Sequence, residues 1–259
     1  MRTVIVHYHI YKNAGTSFEN MLDASFGPAH ERFDGPFPFF TIDQDQLDRI
    51  IRRRVTAKAF SSHQTVLPQP TSLDYHVLAV LFLRHPVLRI GSIYRFKRNE
   101  QDGTSTSLLA KNHDFAGFIE ACFAARSELP HISNGQTRQL SAAYGRNPLV
   151  ARRKDCMEYD LATARRNLAA VDLLGRTEHF EADIRRFAPV AAAYGLTLTI
   201  PEQTRHNVTQ PTDQPVAERV EAELAGLSDT LRTKLLAANA MDLELYDLAN
   251  RLIAQPAQG

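Results

Sequence analysis

The chain has 259 residues with 44% hydrophobic content, enough for one large core or for a domain with an appendage. Lys and Arg number 30 against 29 Asp and Glu, which argues against wholesale binding to nucleic acid or to a membrane surface. Anion recognition must then come from local clusters, such as Arg52, Arg53 and Arg54, or Arg95, Lys97 and Arg98.

Two cysteines, Cys122 and Cys156, give neither a disulfide framework nor metal-ligand spacing. No run approaches the roughly 18 apolar residues of a membrane span. The first strand starts at once, without a basic and then apolar leader, so the expectation is a soluble, cytoplasmic protein. No internal repeat, low-complexity segment or domain boundary stands out, and residues 1–259 read as a single domain.

In chain order, the alternating run TVIVHYHI leads into HIYKNAGTS at 9–17 and then into the amphipathic SFENMLDASF. Phe18, Met21, Leu22 and Phe26 fall on one helical face, so the reading is strand, tight loop, helix. Gly15 is expected to relieve the turn, and Thr16 or Ser17 to cap the helix. Such a loop turns backbone N–H groups and a helix N-terminus toward one point, which suits an anion and most naturally a phosphate. Lys12 adds a mobile positive charge. It precedes Gly15, unlike the Walker pattern, where Lys follows the second Gly. Alone, this motif is equally consistent with an ordinary turn bearing a solvated lysine.

Residues 27–40 are rich in Pro, Gly and aromatics and read as a loop, in which Phe37, Phe39 and Phe40 are expected to pack. Residues 43–54 suit a helix capped by Asp43, with Leu47, Ile50 and Ile51 inward. VTAKAF reads as a short strand ending in Ser61, Ser62 and His63. YHVLAVLFL at 75–83, the most apolar run, reads as a strand buried on both faces. RHPVLRIGSIYRFKRN follows at 84–99, with Pro86 suited to a first helical turn. Residues 100–113 read as a mobile surface loop. Asp114 is expected to cap FAGFIEACFAAR, with Cys122 on its buried face. SNGQTRQLSAAY reads as a polar loop running into a helix, DLATARRNLAA as a helix and VDLLG as a strand. A helix from about Glu178 is expected to stop at Gly195, with two or three terminal helices beyond a polar stretch after Pro201.

Strands alternating with helices imply an α/β fold with a central parallel sheet and right-handed crossovers. Ligands bind such sheets beyond the carboxyl ends of the strands. The Lys12 loop, the His63 loop and the Arg84 segment all follow predicted strands, so they share one edge. If Pro86 opens a helix, Arg84 at the strand end and Ser92 about two turns along can reach one phosphate, the arginine bidentately. His7 and His9 point to one strand face among apolar neighbours and read as core rather than as metal ligands; no metal site is expected.

HIYKNAGTS followed by FLRHPVLRIGSIYRF resembles the paired signature of sulfotransferases that use 3′-phosphoadenosine 5′-phosphosulfate (PAPS). The resemblance is strongest to the carbohydrate branch that includes heparan sulfate 2-O- and 6-O-sulfotransferases. It implies a P-loop-like sulfotransferase fold with C-terminal helices, PAPS as donor, PAP as product, and a carbohydrate or glycoconjugate hydroxyl as acceptor. By it, Lys12, Asn13, Ala14, Gly15, Thr16 and Ser17 form the 5′-phosphosulfate loop, and Arg84 with Ser92 hold the 3′-phosphate. SNGQTRQL, VDLLGRTEHF, RHNV at 205–208 and MDLELYDLA at 241–249 resemble later segments in the expected order. Arg205 and Asn207 fall where the family closes a loop over the nucleotide. Asn134, Gln136, Thr137 and Arg138 are candidates for contact with cofactor or acceptor, although Asn134 equally suits a helix cap. One departure is visible: His85 stands where the family usually has Asp, and the residue that orients Arg84 is then open.

Sulfuryl transfer resembles phosphoryl transfer in needing positive charge on the leaving oxygen and a base on the attacking hydroxyl. The resemblance gives the first task to Lys12. His63 is the candidate base, a neutral imidazole being able to accept a proton near pH 7; His206, His85 and His113 are weaker rivals. The alternatives are a P-loop-like nucleotide kinase or NTPase, and a non-catalytic PAP-binding module. The first lacks an acidic residue at the end of LAVLFL to hold magnesium.

Overall fold

The computed structural model describes residues 1–37, 40–141, 160–200 and 214–255. At its centre is a five-stranded, all-parallel sheet in the order β2-β3-β1-β4-β5. The strands are β1 (Arg2–Tyr8), β2 (His30–Arg32), β3 (Ala59–Ser62), β4 (Tyr75–Leu83) and β5 (Leu173–Arg176). The α/β class expected from the alternation is the one observed. The run at 75–83 becomes β4, paired with β1 from Arg2↔Tyr75 to His7↔Val80 and with β5 from Val80↔Leu173 to Leu83↔Arg176. Every β4 residue except His76 is buried, as a strand covered on both faces requires.

Alternation along the strands divides the core. Val4, Val6, Tyr8, Ala79 and Leu81 face α2 (Gln44–Arg53), α8 (Leu161–Ala169) and α12 (Ala240–Ala254). Ile5, Leu78, Val80 and Phe82 face the other way, under α1 (Gly15–Phe26) and α9 (Phe180–Ala193). Direction of travel explains the split. From β1 the chain passes β3 to reach β2, then reverses to form β3. Right-handed crossovers in opposite directions put α1 and α2 on opposite faces. A third apolar cluster draws its buried residues from helices. It joins Ile90 and Ile93 of α3 (Pro86–Asn99), Ala110 of α4 (Ser105–Asn112) and Phe118 of α5 (Phe115–Ala124) to Leu224 of α10 (Val216–Leu224) and Leu235 of α11 (Asp229–Ala238). Two short helices, α6 (Leu129–Ile132) and α7 (Gly135–Leu140), link α5 to the region before α8.

The caps predicted at Asp43 and Asp114 form. Asp43 accepts from the Gln46 N–H while the Gln46 side chain accepts from the Asp43 N–H, a capping box. Asp114 caps α5 by accepting from the Gly117 N–H, and Asp160, not foreseen as a cap, accepts from the Thr163 N–H at the start of α8. Cys122 is buried as expected, and Gly195 takes a positive φ of 75° just past α9. Other expectations are corrected. The segment 27–40 holds a 3-10 turn (Gly27–Ala29) and the edge strand β2, too short for its alternation to show in the sequence. The segment 100–113 holds α4, capped by Thr104, and is not the loop expected. The strand foreseen over 55–60 begins only at Ala59, because the chain turns there, with the Ala57 N–H donating to Arg54 O at 3.2 Å. The segment after β5 opens with a 3-10 turn, Thr177–His179, before α9. Phe39 and Cys156 lie outside the described residues. No helix among the described residues is long and apolar enough to cross a membrane.

Candidate active site

The loop after β1 is shaped by two residues in the left-handed region, Lys12 (φ 66°) and Ala14 (φ 60°). Ala14 is the N-cap of α1 and has no side-chain acceptor, so no side-chain cap bond closes the helix. Thr16 and Ser17, expected as caps, lie inside the first turn instead. Their N–H groups belong to the set that no intrahelical carbonyl can reach, and the dipole adds positive potential there. Gly15 does not relieve the turn as expected, since its own φ is not positive. It is required because a Cβ there would overlap the His9 ring. Asn13 is buried and faces inward: its side chain donates to Phe82 O (2.8 Å) and to Gln136 Oε1 (2.7 Å), and its N–H donates to Ile10 O (3.1 Å). The donors offered to an anion therefore begin after Asn13.

Lys12 is not the mobile charge expected. Its ammonium lies 3.9 Å from the centroid of the Phe96 ring, a cation–π seat on α3. Burial, and then the Arg84 charge, lower its pKa to about 8. Arg84 stands just past β4, and its guanidinium donates to Lys12 O at 3.1 Å. Burial also draws the Arg84 pKa down, to about 10, with Glu178 opposing. Its buried Nε makes no hydrogen bond, although Glu178 Oε1 lies 3.8 Å away.

His85 leaves Arg84 without the adjacent Asp, and the structure supplies two substitutes. Glu178, just past β5, sits beside the guanidinium, accepts from the His85 N–H (3.2 Å) and is held by the Tyr246 hydroxyl (3.0 Å). Gln136 brackets the Arg84 backbone, accepting from its N–H and donating to its carbonyl, each at 2.9 Å. Arg89 donates to Tyr11 O instead (3.1 Å). His85 itself, a weaker rival as base, is driven down to about 4 by burial.

Ser92 is buried on α3 beside Gly91, against which the Glu223 carboxylate packs. Glu223 also pairs with Arg95 at 2.6 Å. Neither Glu178 nor Glu223 was a candidate by sequence. Glu178 had a signal, following a strand on the same edge; Glu223, on a C-terminal helix, had none.

His63 lies past β3. Its Nδ1 contacts His9 O at 3.2 Å, and because a carbonyl only accepts, Nδ1 carries a proton. Asp34 accepts from the His63 N–H (3.0 Å) and from the Ser62 hydroxyl (2.8 Å), fixing the turn. The His63 and His9 rings lie face to face, with centroids 3.7 Å apart and an angle of 32°.

The strand order β3-β1-β4-β5 thus brings the His63, Lys12, Arg84 and Glu178 positions side by side on one edge. With strands about 4.8 Å apart, the four positions span three strand spacings, roughly 14 Å.

Asn134, Gln136 and Thr137 are placed behind this edge, all buried. Asp242 of α12 accepts from the Gln136 N–H (3.0 Å) and from the Thr137 N–H and hydroxyl (both 2.7 Å). Asn134 has φ 45°, caps α7 by position, and accepts from the Asp242 N–H (3.2 Å). These groups support the loop rather than line it. Arg138 is half-buried on α7. Arg205, Asn207 and His206 lie outside the described residues.

An open helix N-terminus, two closely set cations with lowered pKa values and an imidazole on the next strand suit the transfer of an anionic group. The comparisons agree. The chain matches the sulfotransferase family over residues 1–249 and belongs to it. It is also similar to an uncharacterized protein of Archaeoglobus fulgidus, 24% identical over 254 residues, which is 95% of each chain. Sulfuryl transfer is the chemistry of that family, and the five-stranded parallel sheet is consistent with its fold.

Proposed function

We propose that this protein moves the sulfuryl group of PAPS to a hydroxyl of a carbohydrate or glycoconjugate, in line and without a metal in the chemical step. The observation that carries the reading is the Lys12–Arg84 pair. Two cations on adjacent strand ends are joined through Lys12 O, and each is pushed toward its neutral form. A phosphate-bearing ligand between them relieves that cost. The orphaned Arg84 Nε and the uncapped turn at Ala14 fit the same ligand.

When bound, PAPS supplies an activated sulfuryl group and a phosphate leaving group. Lys12 sets its charge beside the leaving oxygen, and N–H groups of the first α1 turn hold the 5′ end. Arg84, oriented by Glu178 and Gln136, holds the 3′-phosphate with Ser92. His63 accepts the acceptor proton at Nε2. The carbohydrate acceptor rests on the resemblance to heparan sulfate sulfotransferases. Four of the basic side chains that would suit an anionic saccharide are engaged within the chain: Arg52 with Asp48 and Asp74, Arg54 with Glu31, Arg95 with Glu223, and Lys97 with Glu100 and Asp102.

The test is calorimetric titration with PAP and, separately, with ATP, each with and without magnesium. Tight, magnesium-independent PAP binding with weak ATP binding is expected. Magnesium-dependent ATP binding without a response to PAP overturns the reading in favour of a nucleotide kinase. PAP binding without turnover of PAPS on any glycan hydroxyl leaves a binding module instead.

A further inference from the structure

Four of the chain's histidines gather at the ends of β1, β2 and β3, and the proposed reaction uses only His63. His7 and His9 project from one face of β1 with their rings stacked, centroids 5.0 Å apart. Both are buried, at 1% and 5% exposure, as the sequence led one to expect of core residues. What the sequence did not show is that α1 places Glu19 against them. Its Oε1 lies 2.8 Å from His9 Nδ1, and one ligand atom from each of His7, His9 and Glu19 falls within 4.8 Å of the others.

A second observation points the same way. Behind His7 runs a chain of hydrogen bonds whose proton positions can be deduced. The Asp23 carboxylate lies 2.7 Å from His30 Nδ1 and, when ionised, only accepts, so that nitrogen carries a proton. In neutral His30, Nε2 then accepts from the Ser61 hydroxyl (2.9 Å). The Ser61 oxygen in turn accepts from His7 Nδ1 (3.3 Å). The Nε2 of His7 is left with its lone pair. A neutral imidazole with its other nitrogen anchored to a polar partner is how proteins present a histidine to a metal ion.

We propose that His7, His9 and Glu19 form a binding site for a divalent transition-metal ion of the zinc class. Two imidazoles and one carboxylate select such ions over magnesium or calcium, which favour all-oxygen ligand sets. The gap between His9 Nδ1 and Glu19 Oε1 is near the edge of a coordination shell with bonds of about 2.0–2.2 Å. The ion takes the place of the proton between them, and His9 keeps its proton on Nε2. An ion held there would sit at the Nδ1 edge of His9, whereas His63 packs against the ring itself. The ion therefore fastens β1 to α1 behind the anion loop and takes no part in the transfer. The site goes beyond the proposed activity and does not depend on it.

The full-length protein, stripped with a chelator, is titrated with Zn²⁺ by calorimetry and with Co²⁺ by visible absorption. One ion per chain is expected, with the d–d bands of a low-coordinate Co²⁺ site. Glu19→Gln and His7→Asn should abolish that stoichiometric binding, and Ser61→Ala should weaken it about 10–100-fold, as loss of an outer partner does. PAP titration and circular dichroism of each variant report whether the fold survives, and Glu19→Gln, near the surface, serves if His7→Asn does not fold. Failure of the stripped wild type to bind either ion overturns the proposal. So does undiminished binding in a folded Glu19→Gln variant, which would place the ion at other histidines.

Discussion

Burial and the Arg84 charge hold the Lys12 pKa at about 8, so the ammonium is present at neutral pH and lost just above it. PAP affinity is therefore expected to fall as pH rises through about 8. Stability should move the other way. Folded Lys12 gives up its proton near 8 and an unfolded lysine near the ordinary 10.5, so the unfolded chain holds more protons between those values. Stability then rises with pH across that window. Both dependences should vanish in Lys12→Met, measured as the difference from wild type in titrations and denaturant melts. Lys12→Ala is expected to lower turnover by about 10²–10³, the scale of removing one preorganised donor, with the circular dichroism spectrum unchanged. His63→Ala should bind PAP like wild type and turn over about 10²–10⁴ more slowly. Full activity in that variant would move the base to another residue.

At the scale of elements, the decisive joint is α12 against α7. One carboxylate, Asp242, takes two backbone N–H groups and a hydroxyl from α7, and α7 passes the constraint through Gln136 to Arg84 and Asn13. Asp242→Ala leaves buried donors unmatched and should cost about 1–3 kcal/mol in urea denaturation. PAP affinity should fall with it, since Arg84 loses its bracket; unchanged affinity would show that Glu178 alone orients the arginine. This joint was not legible in the sequence. Asn134, Gln136 and Thr137 are polar and suggested contact with ligand, whereas their partner stands about a hundred positions away. The strand-end loops were legible, because long apolar runs mark β1 and β4 and charged residues follow them directly. β2 and α4 were not, since three residues carry no visible alternation and the apolar residues of α4 are bunched at Leu108, Leu109 and Ala110.

Across the whole molecule, the sheet holds the site by rigidity. Phe18 lies wholly buried under the loop, its ring 4.9 Å from His7 and 5.2 Å from Phe82, so α1, β1 and β4 are packed through one side chain. Phe18→Ala should cost about 3–5 kcal/mol, read from denaturant midpoints. A smaller loss would mean that the loop region collapses into the space. The α/β class was readable because helical and strand periods alternate along the chain. The strand order was not, since nothing local tells β2 to add outside β3. That order has a further result. Among the described residues the sheet ends on β2, only three residues long and carrying Glu31 and Arg32, and on β5, four residues long and ending in Arg176. Short, charged borders make poor templates for a strand from another molecule. The architecture that lines up the site therefore also guards the protein against edge-to-edge aggregation at high concentration.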